Sequence, residues 1–288
     1  SGEGNEATNS SHSMITGLKN KILNSEDSFI TGERNNIKDG FNNTIYGARN
    51  TLTNNYNSLI GGERNNLSNS NNNMGFGNNN ELNNSDTSLI HGKFNKIRDT
   101  ANSYIFGDSN DLSGVSVNSI LGGKENEVYK SVNTGIFGTK NQLSSSNNTT
   151  MAGENNKLTN SHNNLVTGKN NTIINSNQSM VGGTNNTLLN CENATVWGSN
   201  NTLDGINHGF VLGYNGTLAN DDIFVIGSEK RGNNIFRIAD SGDIFIGEQI
   251  VGEYEAPKGL WTNIDSDITI GSNESKVVIG NNLKINNS

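Results

Sequence analysis

A glycine recurs at a fixed interval along most of this chain. It stands at Gly17, Gly32, Gly47, Gly62, Gly77, Gly92 and Gly107, then, after one step of sixteen, at Gly123, Gly138, Gly153, Gly168, Gly183, Gly198 and Gly213, making fourteen copies of a fifteen-residue unit. Asn102-Ser103-Tyr104-Ile105-Phe106-Gly107-Asp108-Ser109-Asn110-Asp111-Leu112 shows the unit, and a short polar run completes it. A fixed short period marks a repeat architecture, in which stacked units bury together a core that none could bury alone. The period therefore overrules the length of 288 residues, which by itself would allow two domains.

Positions are numbered from the glycine. Position −2 is aliphatic in thirteen of fourteen copies, with Gly75 the exception, and position +5 in all fourteen, from Ile22 to Leu218. Two short strands per unit, each with one apolar column, describe a flattened β-coil whose −2 and +5 columns face each other. Asn and Gly throughout, with β-branched residues at the apolar sites, argue against helices. The apolar fraction of 31% would suit a disordered chain, but disorder would not hold aliphatic residues in register.

Positions −3 and −1 point away from −2, because side chains alternate along a strand. They too are largely apolar, and their sizes compensate. Thr44 accompanies Tyr46, Gly135 accompanies Phe137 and Thr195 accompanies Trp197, whereas Leu59, Ile120 and Met180 accompany Gly61, Gly122 and Gly182. Such compensation implies a shared, close-packed space. A strand apolar on both faces needs a second cover, and a homotrimer buried at a symmetry axis supplies it. The expected interface residues are Phe29, Tyr46, Leu59, Tyr104, Phe106, Ile120, Phe137, Met180 and Trp197. Position +3 is Asn in thirteen copies and shares a face with +5. It should point inward, either stabilising a turn or forming a ladder of stacked amides.

The Asn-Ser-apolar-apolar-apolar-Gly core of Asn57–Gly62, Asn102–Gly107 and Asn118–Gly123 resembles the head unit of the trimeric autotransporter adhesins, the YadA-like family. The resemblance covers roughly residues 9–222. It implies a left-handed parallel β-roll, three chains around one axis, a bacterial surface location and attachment to host molecules. One alternative within the family is an Asn-rich member that binds host CEACAM receptors. The fifteen-residue period, where the family's is fourteen, and the Asn at +3 are departures from its pattern.

The expected organisation is an all-β chain with a solenoid head over 1–222, a neck-like connector over 223–254 and a short C-terminal β segment over 255–288, read as a trimeric β-prism. Ile223–Ile226 and Ile235–Ile238 read as strands, and Pro257 marks a boundary. Any stalk or outer-membrane anchor is expected outside this sequence, since no heptad run is present. No stretch approaches the roughly 20 apolar residues of a membrane helix.

The formal charge of −8, with no basic run, argues against nucleic acid. Cys191 is the only cysteine, so an intrachain disulfide is excluded. No nucleophile elbow, phosphate loop or His-Glu-x-x-His motif occurs, and the four histidines are far apart. No enzyme activity, cofactor or metal is expected. His91, at −1, is the one histidine that threefold symmetry could bring to an axis, and a packed interface residue is its plainer reading.

Same-position residues form columns, and these are the surface features of a solenoid. Position +2 runs Lys19, Arg34, Arg49, Arg64, Asn79 and Phe94, with Glu33 and Glu63 alongside at +1. Stacked cations imply cross-chain carboxylates, an acidic ligand such as a sialylated glycan, or simple solvation. Phe41 and Tyr56 at +9, with Phe94 and Tyr129, are aromatic candidates for a contact surface or for gaps between protomers. The expected ligand-binding set is therefore Arg34, Arg49, Arg64, Phe41, Tyr56, Phe94 and Tyr129. The expected partners are the chain itself and a host-cell surface glycoprotein or matrix protein. The alternative is a non-binding spacer in a trimeric, phage-fibre-like shaft. An ice-binding array would need one column of Thr throughout, and there is none.

Overall fold

The computed structural model describes residues 1–218, 222–227, 234–239, 243–246 and 249–252, so the prism expected over 255–288 lies outside the described residues. The repeats form a parallel β-solenoid, and the described residues contain no helix. Each unit contributes a five-residue strand over positions −3 to +1, such as Tyr104–Asp108, and a three-residue strand over +4 to +6, such as Asp111–Ser113. Successive coils pair in register, Gly92 with Gly107 and Ile97 with Leu112. The long strands belong to a 19-stranded sheet and the short ones to a 15-stranded sheet.

Three corners close each coil. Residues at +2, +7 and +10 adopt the left-handed conformation, as Arg49, Asn54 and Asn57 do with φ of 58°, 53° and 54°. Asn enters this region more readily than other side-chain-bearing residues, so corner geometry accounts for much of the Asn in the sequence.

The −2 and +5 columns are the apolar core, from Ile22 to Val225, with exposures of 0–1%. Ile15 is only partly buried. Gly75 leaves no gap in its column, because a Cβ there would lie 2.9 Å from Ile60 Cδ1. The +3 Asn is also inside, and it forms the amide ladder. In a typical rung, Asn35 Nδ2 donates to Asn20 Oδ1 at 3.1 Å, and Asn35 N donates to the same oxygen at 2.9 Å. The same Nδ2 donates forward to Gly47 O at 2.7 Å, so one side chain ties three coils.

The repeat glycine is fixed by the same contact. Its φ lies between 102° and 135° from Gly17 to Gly213, a region that side chains avoid. A Cβ on Gly32 would collide with Gly47 O, the carbonyl that receives the Asn35 amide. Gly2 stands in the same register one period earlier, paired with Gly17, and extends the series beyond the fourteen copies visible in sequence.

The sixteen-residue step is a bulge at one corner. Gly114 and Val115 are both left-handed, Val115 is exposed, and the strands beyond re-pair in register, Leu112 with Val128. Asp222–Gly227 then joins the long-strand sheet in parallel, Val225 pairing with Val211. The division drawn at 222/223 therefore falls inside the last parallel strand. Asn234–Ala239, Ile244–Ile246 and Gln249–Gly252 follow as an antiparallel meander.

Gly123→Ala places a methyl against Gly138 O at a φ of 111°, and is expected to destabilise the solenoid by about 3 kcal/mol or more. Asn126→Ala removes the donor to Gly138 O and strands the buried Asn141 N–H, for a loss of roughly 2–4 kcal/mol. Asn133→Ala, in the exposed Asn118–Asn133–Asn148 corner ladder, is expected to cost about 1 kcal/mol or less. Urea unfolding of the three variants gives this ranking directly.

Candidate functional site

The outer face of the long-strand sheet carries large apolar side chains along its whole length, interspersed with threonines such as Thr16, Thr31 and Thr150 and with His91. Met14, Tyr46, Met74, Tyr104, Phe106, Ile120, Phe137, Leu165, Met180 and Trp197 are each between 37% and 57% exposed in the single chain. So many large apolar side chains exposed along one face are more than monomeric proteins ordinarily leave wet. All nine expected interface residues lie on this face; Phe29 and Leu59 are half-buried, and the Phe29 ring meets Tyr46 at 5.8 Å.

The size compensation has a cause within the chain. A Cβ on Gly61 would lie 2.8 Å from the Phe76 ring, and one on Gly122 would lie 3.0 Å from the Phe137 ring. A Cβ on Gly182 would collide with Trp197. Each ring thus lies over the glycine one coil earlier in its own column. Compensation runs up the −1 column as well as across the strand, and by itself it needs no second chain. The exposure of the rings, not their fit, is what calls for a cover.

The expected ligand residues do not converge on one surface. Lys19, Arg34, Arg49, Arg64 and Phe94 line the +2 corner, between long and short strands. Phe41 and Tyr56 stack on the short side between the +7 and +10 corners, bridged in parallel and exposed. Tyr129 stands on the outer face of the short-strand sheet, with Lys130 Nζ 5.1 Å from its ring centre. A shallow groove beside it is lined by Glu127, Tyr129, Gln142, Ser144, Lys157 and Thr159.

The cation column is partly neutralised within the chain. Arg34 pairs with Glu33 at 2.6 Å, and Glu63 bridges Arg49 at 2.8 Å and Arg64 at 3.1 Å. The side chains stay half-exposed, so these pairs orient the guanidinium groups more than they stabilise the fold. Further on, Lys124 and Lys140 flank Glu125 and hold its carboxyl below the ordinary carboxylate value, the Lys124 hydrogen bond being the larger cause.

No group of three or more His, Cys, Asp or Glu among the described residues could hold a metal. His162 Nδ1 accepts from Asn147 N at 3.0 Å, and His91 lies exposed between Phe76 and Phe106 on the apolar face. No helix of the described residues is long and apolar enough to cross a membrane.

Two interior hydroxyl columns went unread in the sequence. At +8, Ser131 Oγ donates to Tyr129 O at 2.9 Å and accepts from Ser146 N at 3.0 Å, and the pattern repeats through Ser146, Ser161 and Ser176. At −4, Ser and Asn play the same part. The signal was the Ser of the Asn-Ser pair and the small polar residue eight after most of the repeat glycines, with Gly40, Val115, Cys191 and Ile206 among the exceptions. Cys191 occupies the +8 column, with Sγ donating to Leu189 O at 3.1 Å, and burial pushes its thiol above the ordinary value.

The sequence matches no family model and no curated protein. Among solved structures, the chain is similar to an Arabidopsis UDP-N-acetylglucosamine acyltransferase at 14% identity, over 70% of this chain and 68% of that one, with a TM-score of 0.24. A candidate acetyltransferase from Desulfovibrio desulfuricans G20 matches at 13% identity over 71% and 67%, with a TM-score of 0.20. Likenesses this loose carry no argument about activity.

Cys191 is expected to resist a thiol reagent at neutral pH in the native protein and to label fully in denaturant. Cys191→Ser, which restores the column's usual residue, is expected to leave the unfolding midpoint within about 1 kcal/mol of the parent. Labelling at native rates matching those in denaturant would contradict the buried placement.

Proposed function

We propose that this chain is the head of a homotrimeric bacterial surface adhesin, which attaches to a host-cell glycoprotein or matrix protein through patches repeated on three lateral faces. The observation that carries the reading is the exposed apolar stripe along the outer face of the long-strand sheet. Burying it between three copies removes the exposed rings from water and leaves the corners and the short-strand sheet outward. At roughly 4.8 Å per coil, fourteen coils make a rigid post about 70 Å long. Threefold repetition of each patch lets weak single contacts add to firm attachment. The resemblance to the YadA-like head supports the same reading and implies the left-handed sense of the coil and the location on the bacterial surface.

The second reading is a spacer that positions some other binding element. The scatter of the candidate residues over three surfaces favours it. Attachment assays separate the two: saturable binding of the trimer to host cells or matrix, weakened by Phe41→Ala or Tyr56→Ala, supports the adhesin, and a well-folded trimer that binds no such surface supports the spacer.

Assembly has its own test. The parent is expected at three times the chain mass of 30.9 kDa by light scattering. Tyr104→Asp with Phe106→Asp, at positions 40% and 43% exposed in the single chain, is expected to keep the β spectrum and fall to the mass of one chain. A parent at single-chain mass would sink the interface.

A further inference from the structure

The three corners make the same demand on the backbone, but the residues that meet it differ. At +7 the first six full coils have Asn24, Asp39, Asn54, Asn69, Asn84 and Asp99, the residue types that suit a left-handed corner. At +2 the same six coils have Lys19, Arg34, Arg49, Arg64, Asn79 and Phe94, with φ between 53° and 58°. The last five coils return to Asn at +2, as Asn155, Asn170, Asn185, Asn200 and Asn215. There the side chains close on themselves: Asn155 Nδ2 donates to Asn170 Oδ1 at 2.8 Å, Asn170 to Asn185 at 3.0 Å and Asn185 to Asn200 at 3.1 Å. A bulky residue in this conformation is an outlier, and such outliers concentrate at functional sites. The fold has a better residue for this corner and uses it in all of the last five coils, whereas among the first six only Asn79 has it, and the three coils between carry Ser109, Glu125 and Lys140.

We infer that the +2 edge of the N-terminal coils is a binding ridge for a linear acidic polysaccharide lying along the rod. Charge sets the sign of the ligand. Lys19, Arg34, Arg49 and Arg64 outnumber Glu33 and Glu63 on an otherwise acidic protein, and those carboxylates hold the guanidinium groups in line at roughly 4.8 Å per coil. Arginine forks suit carboxylate and sulfate groups. Backbone geometry excludes an added peptide strand, since the corner N–H groups are already spent between coils: Arg34 N on Leu18 O, Arg49 N on Glu33 O and Arg64 N on Ala48 O. The ligand therefore meets side chains only. Exposed Phe94, two coils beyond Arg64, offers a flat apolar face to a sugar ring.

The assignment rests on the adhesin reading only in leaving this edge outward. Its test uses the full chain in its native assembly on immobilised heparin, with neutral dextran and polyglutamate as comparators. The parent should bind heparin saturably, more weakly as salt rises, and dextran not at all. Arg34→Asn, Arg49→Asn and Arg64→Asn combined should weaken heparin binding about tenfold or more and yet melt above the parent, because Asn suits the corner. Asn170→Arg, the reverse change, should melt below it. The proposal is overturned if the parent does not bind heparin, if the triple variant binds equally well, if it melts lower, or if polyglutamate binds with the same arginine dependence. Attachment of the triple variant to host cells at the parent's level would leave the adhesin reading standing while removing this ridge from it.

Discussion

One contact holds the coil spacing, the turn and the choice of two residue types together. The interior Asn at +3 reaches back to the amide oxygen of the coil before it and forward to the glycine carbonyl of the coil after it. That carbonyl points inward only because its residue has a φ that glycine alone takes comfortably. Replace the glycine and the oxygen moves; replace the Asn and a buried N–H on the next coil is stranded. Every coil depends on its neighbours for this satisfaction, which is why the period hardly varies over fourteen copies.

The rest of the interior follows the same logic. Two aliphatic columns exclude water, and the Ser and Asn columns at +8 and −4 satisfy backbone groups that a tight corner would leave unpaired. Low overall hydrophobicity is therefore no bar to a stable body, because a solenoid core is thin and its interior amides and hydroxyls are nearly all hydrogen-bonded, the Thr100 hydroxyl in the +8 column being an exception. Cys191 is a conservative occupant of one such column rather than a reactive group.

Surfaces divide by how much the fold constrains them. The apolar outer face of the long-strand sheet is set by alternation along the strand, and its exposure in one chain motivates the trimer. The corners are set by backbone conformation, and a corner residue that opposes that conformation carries information about use. This criterion separates the +2 arginines, which the fold does not favour, from the aromatics Phe41 and Tyr56, whose +9 site makes no such demand.

The sequence by itself determined the solenoid, its period, its two apolar columns and the inward Asn, because each is a strictly periodic pattern and periodicity is what a repeat displays in one dimension. Ile105, Leu112 and Asn110 could be placed that way. Only the tertiary structure decided how coils lie on one another. It showed that Phe137 rests on Gly122 of the preceding coil, that Glu63 joins Arg49 to Arg64, and that Arg34, Phe41 and Tyr129 face three different ways. Contacts between coils join residues fifteen apart through backbone angles and side-chain directions, and a linear pattern does not carry those directions. The left-handed strain at Arg34 and Phe94 belongs to the same class, since a corner's φ is set by closure of the whole coil rather than by the residue that sits there.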